Sequence, residues 1–227
     1  FMLRQGRLKY SVSAGRFYST QPDTRQPQFM QSTLFYGLPA DITLYGGGQL
    51  SADYQSWAIG AGRGFGEMGS LGFDYTHAMT QAPSGRRYNG HSARLQYQKV
   101  FASSGTTLNV ASYRYSSNGY YDFSEANALE GRYAETDNRR TREEFSLSQS
   151  LGSVGSLSAS AWTQTYWHAQ GHDETVHVGF YSAWKSVSWG VGYYYTQSST
   201  HSKSDRSFSF NINIPLGKML AGSAVSY

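Results

Sequence analysis

The chain contains no cysteine, so neither a disulfide framework nor a thiolate metal site is available to it. Charge is scarce at 15% of residues, below the roughly 25% of an ordinary globular domain. Long apolar runs are also missing. No stretch approaches the ~18–20 residues that a transmembrane helix needs, and no charged-then-apolar signal segment is present. The five prolines, Pro22, Pro27, Pro39, Pro83 and Pro215, all fall between candidate strands or at a strand end, where a missing N–H harms no ladder.

What fills the 227 residues is polar without being charged. Ser, Thr, Asn, Gln and 19 Tyr stand beside 25 Gly, and the mean hydropathy is −0.54. Such a composition suits a barrel with lipid on one face and water on the other. Net charge is +4 with a pI near 9.2, but the basic residues are not interleaved with aromatics in any nucleic-acid-binding pattern, so no nucleic-acid partner is expected. Lys and Arg read as loop and lumen residues.

About twelve segments alternate apolar and polar side chains, at approximately 6–19, 28–36, 41–49, 54–64, 69–79, 90–101, 105–121, 140–150, 155–167, 174–184, 186–198 and 204–214. In the last, Phe208, Phe210, Ile212 and Ile214 alternate with Ser207, Ser209, Asn211 and Asn213. Successive side chains of a strand face opposite sides, so each segment has one greasy and one wet face. A soluble sandwich would alternate too, but its strands average about 5–6 residues, whereas tilted membrane strands need about 9–11. The connections near 20–27, 80–89, 122–139 and 199–203 read as long, and those near 37–40, 65–68, 102–104, 151–154 and 185 as short, as when one rim carries loops and the other turns. The highly charged segment 122–144 reads as a solvated loop and the start of a strand, and no helical periodicity is visible. The fold expected is all-β: one transmembrane antiparallel β-barrel region over 1–227, with both ends on the periplasmic side.

Candidate sites are few. Gly64-x-Gly66-x-x-Gly69 matches a dinucleotide fingerprint, but a period-two strand follows where a helix is required, so a turn is the better reading. His168, His172 and Asp173 lie in a strand-to-loop passage, where spacing of i and i+4 does not bring two histidines together as it does on a helix. No G-x-S-x-G elbow or other role-bearing constellation appears. No catalytic residue, metal or cofactor is therefore expected. Asp74, Arg94, Gln96, Gln98, Asn211 and Asn213 alternate with apolar neighbours and are expected to line a hydrated lumen. Trp162, Tyr166, Trp167, Trp184 and Trp189 lie at or near strand ends and read as an interfacial aromatic girdle rather than as sugar-stacking platforms.

Several strings, taken in order, resemble the barrel of fimbrial outer-membrane ushers. They include Gly6-Arg7-Leu8-Lys9-Tyr10-Ser11-Val12-Ser13-Ala14-Gly15, Gln31-Ser32-Thr33-Leu34-Phe35-Tyr36-Gly37-Leu38-Pro39-Ala40, Leu44-Tyr45-Gly46-Gly47, Gly90-His91-Ser92-Ala93-Arg94 and Tyr113-Arg114-Tyr115-Ser116-Ser117-Asn118-Gly119-Tyr120. Gln164-Thr165-Tyr166-Trp167 and Asn211-Ile212-Asn213-Ile214-Pro215-Leu216 complete the series. The resemblance implies roughly half of a pore of about 24 strands, beginning just after an inserted plug. It also implies a bacterial outer-membrane location and partners that are pilus subunits, delivered as periplasmic chaperone–subunit complexes, together with outer-membrane lipid. The rival readings are a passive porin, which should close with its own strands, and a soluble all-β carbohydrate-binding module. Half a barrel has unpaired edges, which lipid does not tolerate. The isolated 227-residue chain is thus expected not to migrate as a heat-modifiable folded monomer from membranes; such a band on unheated gels would refute the half-barrel reading.

Overall fold

The computed structural model describes residues 2–19, 24–82, 84–101, 103–128, 138–198, 204–215 and 224–226. Thirteen strands lie in one sheet in chain order: β1 (Leu8–Arg16), β2 (Gln28–Leu38), β3 (Ile42–Ser51), β4 (Tyr54–Gly64), β5 (Ser70–Gln81), β6 (Arg87–Phe101), β7 (Thr106–Ser116), β8 (Arg139–Ser150), β9 (Ser156–Tyr166), β10 (His172–Trp184), β11 (Val187–Gln197), β12 (Ser204–Pro215) and β13 (Ala224–Ser226). From β1 to β12 the strands are 9 to 15 residues long, the membrane range rather than the soluble one. Each of the twelve expected strands is present, and β13 is an addition.

Two compact units divide the chain: Phe1–Tyr97 with Ser112–Glu143 and Gln164–Gly171, and Gln98–Ala111 with Glu144–Thr163 and His172–Tyr227. In the first unit the antiparallel registers line up Tyr10↔Leu34, Leu44↔Ala61 and Ala61↔Phe73 on one face, and Phe35↔Tyr45, Tyr45↔Gly60 and Gly60↔Asp74 on the other. Burial is inverted relative to a soluble protein. Val12 and Ile59 are each 62% exposed, while Thr43 is fully buried and Asp74 and Ser92 are nearly so. A contiguous exposed apolar face of this kind is what lipid covers. In the second unit Val178↔Tyr193↔Phe208 and Phe180↔Val191↔Phe210 form the apolar face, with Phe208 81% exposed. Gly179↔Gly192↔Ser209 lies on the polar face.

Three expectations need correction. The alternation of long and short connections breaks between β3 and β4, where Ala52-Asp53 alone turns the chain. β7 ends at Ser116, not at 121, because the backbone leaves the strand at Asn118-Gly119 and crosses β6. A Cβ on Gly90 would sit 2.1 Å from the Tyr120 nitrogen, and one on Gly119 2.3 Å from the Asn89 carbonyl oxygen, so only glycine permits the crossing. Beyond it, part of the supposedly solvated loop is a short helix, α1 (Phe123–Asn127). Asp122 accepts from the Glu125 amide at 2.9 Å and the Glu125 carboxylate accepts from the Asp122 amide at 2.8 Å, a capping box. Residues 129–137 of the expected loop lie outside the described residues.

α1 turns toward the polar face and makes the unit's small apolar core. The Phe123 ring lies 5.3 Å from Phe17, 5.4 Å from Phe29 and 5.3 Å from Tyr54, with Ala78 and Ala126 closing the floor. Aromatic contacts at these distances each contribute about 0.5–1.5 kcal/mol beyond area burial. In the intact protein that carries this segment, Phe123→Ala should destabilise α1 docking by ~3 kcal/mol and Asp122→Ala by ~1 kcal/mol. Hydrogen exchange at 118–128 measures both; equal and negligible effects would show that α1 is not packed.

Candidate functional site

On the polar face of the first unit, one cross-strand row runs Phe35, Tyr45, Gly60, Asp74. Phe35 and Tyr45 stack at 5.5 Å. The Tyr45 ring lies across Gly60, where a Cβ would come within 2.4 Å of the ring, and its hydroxyl donates to Asp74 at 3.3 Å. Arg94 reaches the same carboxylate from β6, with Nη2 at 2.7 Å and Nε at 2.9 Å from Oδ2. The next row, Thr33, Gly47, Ala58, Thr76, is made of small residues. It leaves a groove of about 410 Å³, bordered by Gln31 and Gln49 on one side and by Asp74 and Arg94 on the other. The second unit repeats the device: Tyr181 lies over Gly190, at 2.6 Å from where a Cβ would sit, and Asn211 is the following partner in register.

Where α1 meets the wall there are two polar clusters. Arg139 binds Asp122 at 2.6 Å and also Glu125. Burial, reinforced by the neighbouring Asp122 carboxylate, pushes the Glu125 carboxyl above its usual range despite Arg139. Burial likewise pushes the Tyr120 hydroxyl up to about 12. From the preceding long connection, Arg25 ties three segments together. It binds Asp53 at 2.9 Å, donates to the Gln81 carbonyl at 3.2 Å and donates to the Ala126 carbonyl at 3.1 Å. These contacts hold a loop element against a wall; among the described residues no group of three or more His, Cys, Asp or Glu is placed to hold a metal.

Of the expected wet-face residues, Asp74 and Arg94 meet each other, and Gln96 and Gln98 follow Arg94 on its side of β6 by alternation. Asn211 pairs with Gly190 and Asn213 with Ser188, on the polar side of β12. The aromatics divide. Trp189 contacts Phe180 at 5.5 Å, and Trp184 pairs with Val187, both on the apolar face. Trp167 packs edge-on to Tyr115 and donates from Nε1 to the Ser116 carbonyl at 2.9 Å. Trp162 and Tyr166 do not belong with them. Gln164 donates to the Tyr166 hydroxyl at 2.8 Å and accepts from Arg142, while Ser158, on the same side of β9, faces Gly179. Trp167 lies beyond the end of β9, with Arg140 4.8 Å over its ring.

The family model described as "Outer membrane usher protein" matches residues 1–227. The chain belongs to the outer membrane usher family. It is 37% identical over 218 residues to the probable outer membrane usher protein LpfC′ of Escherichia coli O157:H7, covering 95% of this chain and 45% of that one. Its fold is similar to the translocation pore of the P pilus usher PapC, with a TM-score of 0.72 at 24% identity over 95% of this chain and 44% of that one. It is also similar, with a TM-score of 0.71 and 25% identity, to the E. coli P pilus tip assembly intermediate PapC-PapD-PapK-PapG, covering 100% of this chain and 28% of that one. The usher segment thus spans less than half the length of these relatives.

Two features of this usher segment escaped the sequence pattern: the packing of α1 on the polar face and the Arg25 hub. Asp122-Phe-Ser-Glu125 is a capping-box spacing and was a legible signal for the helix; nothing in the sequence announces the hub. The raised Glu125 pKa has a consequence of definite sign. The docked helix takes up a proton before the undocked one does, so docking strengthens as pH falls through the docked-state pKa and the gain is complete below the undocked one. Glu125→Gln should therefore retain α1 protection at neutral pH and abolish its pH dependence, read by hydrogen exchange corrected for intrinsic rates. A Gln variant as exposed as Asp122→Ala would contradict this.

Proposed function

We propose that residues 1–227 form one continuous stretch of the wall of a usher translocation pore in the bacterial outer membrane. The pore passes pilus subunits that arrive as periplasmic chaperone–subunit complexes. Its polar face, with Asp74, Arg94, Gln96, Gln98, Asn211 and Asn213, lines the conduit, and its apolar face meets outer-membrane lipid. The inverted burial carries this reading: Phe208 and Ile59 stand exposed, while Asp74, Ser92 and Thr43 are covered. A conduit for folded protein needs a wet wall with few grasping sites, and the groove beside Gly47 and Ala58 is open and edged by Gln31, Gln49, Asp74 and Arg94. α1 stands on the conduit side. The wall performs no bond-making step; the work of assembly comes from strand exchange between subunits.

The test uses single cysteines in the full-length usher, on a chain segment that contains none. In whole cells, Ser207→Cys, Ser209→Cys and Asn211→Cys should react with a charged thiol reagent at least tenfold faster than Phe208→Cys and Phe210→Cys. Equal reactivity at adjacent positions would overturn the reading.

A further inference from the structure

The glycine-rich motif rejected as a nucleotide site has another use. Phe65-Gly66-Glu67-Met68-Gly69 joins β4 to β5, and Leu151-Gly152-Ser153-Val154-Gly155 joins β8 to β9. Each unit builds the same turn. In the first, the Phe65 amide donates to the Gly69 carbonyl at 2.8 Å and the Met68 amide to the Phe65 carbonyl at 3.2 Å. In the second, the Leu151 amide donates to Gly155 at 2.8 Å and the Val154 amide to Leu151 at 3.2 Å. Gly66 and Gly152 take φ of 58° and 62°, a conformation that favours glycine.

A hydroxyl from the next strand clamps each turn. Tyr97 donates to the Met68 carbonyl at 2.6 Å, and Ser182 to the Val154 carbonyl at 2.6 Å. Both donors belong to the apolar face: Tyr97 alternates with Gln96 and Gln98 on β6, and Ser182 pairs with Trp189. The clamp fixes a turn whose apolar residues are bare, with Met68 67% and Val154 62% exposed. Leaving them in water would waste the apolar area that the clamp holds in place.

Beside the first turn, and at the β6–β7 and β10–β11 turns, cations rest on aromatic rings. Arg63 lies 5.4 Å above Phe65, Lys99 4.3 Å above Phe101 and Lys185 4.9 Å above Trp184. Arg63 pairs with Ile42 and Leu71, and Lys99 and Phe101 follow Tyr97 on its side of β6, so these cations emerge from the apolar face. A ring under a cation replaces part of its water, while its N–H groups stay free to bond phosphate oxygens.

We propose that these short turns are membrane anchors that bind glycerophospholipid, seating Met68 and Val154 at the acyl boundary and presenting Arg63, Lys99 and Lys185 to lipid phosphate. The proposal rests on the pore-wall reading, under which short turns face the periplasmic, phospholipid leaflet. Each anchor is local to its own hairpin. A polar third residue, Glu67 or Ser153, faces water in each five-residue turn.

The experiment places an environment-sensitive fluorophore on Met68→Cys, Val154→Cys, Glu67→Cys and Ser153→Cys in the full-length usher, reconstituted in phosphatidylethanolamine–phosphatidylglycerol vesicles. Labels at 68 and 154 should be quenched several-fold more by nitroxide-bearing lipid than by iodide, with the reverse at 67 and 153. Arg63→Gln, Lys99→Gln and Lys185→Gln should each lower retention of phosphatidylglycerol about fivefold, the factor equivalent to ~1 kcal/mol per cation. Iodide access at 68 and 154 equal to that at 67 and 153 would overturn the proposal. So would access lost only when a chaperone–subunit complex is added, which would make the turns a protein-docking surface. A label on Phe210→Cys separates the two readings: lipid quenching there with none at 68 and 154 defeats the anchors alone, and quenching at neither defeats the pore wall as well.

Discussion

In hydrocarbon a backbone amide has no water to bond, so every N–H and C=O must find its partner within the protein. The ladders between neighbouring strands meet that demand, and the placement of connections and side chains depends on them. Pairing in chain order makes each connection a hairpin turn or loop, and antiparallel register carries each side-chain row straight across the strands. Because alternation has period two, one face, with Val12, Ile59 and Phe73, is apolar while the other, with the row Tyr45, Gly60 and Asp74, is polar.

Away from α1 the polar face has its own packing problem, since a sheet with no apolar core against it holds its shape by cross-strand contacts. Aromatic rings laid over glycines provide them. Tyr45 over Gly60 and Tyr181 over Gly190 fill the gaps that the glycines leave, and each row then ends on a polar residue, Asp74 or Asn211. The Asp74–Arg94 pair joins β5 to β6 across that face. Partly exposed, such a pair contributes little to stability by itself, but it sets the charge pattern of that face.

α1 is held by a different balance. Its five residues are too few to form a helix in water without help. The capping box, the Arg139 bridge, the Arg25 hub and the Phe123 pocket all act on it together. The elements that hold it differ in character: the Phe123 contacts are apolar and insensitive to pH, whereas Glu125 is buried beside a like charge and titrates.

The sequence by itself determined where the strands run and which way most side chains face, because a strand's period is written in adjacent residues such as Ser207 to Ile214. It also held the capping box that starts α1 and the two glycine turns, since both depend on residues within five positions of one another. Where α1 goes was decided only in three dimensions. Its pocket is built from Phe17, Phe29, Tyr54 and Ala78, on four different strands or their ends, and it is entered by a crossing that requires glycine at both 90 and 119. The same holds for the sides taken by Trp162, Tyr166 and Trp167. All three are aromatic and near a strand end, and only contacts across the sheet, from Arg142 to Gln164 beside Tyr166 and from Tyr115 to Trp167, separate them, because contact between strands depends on register and not on composition.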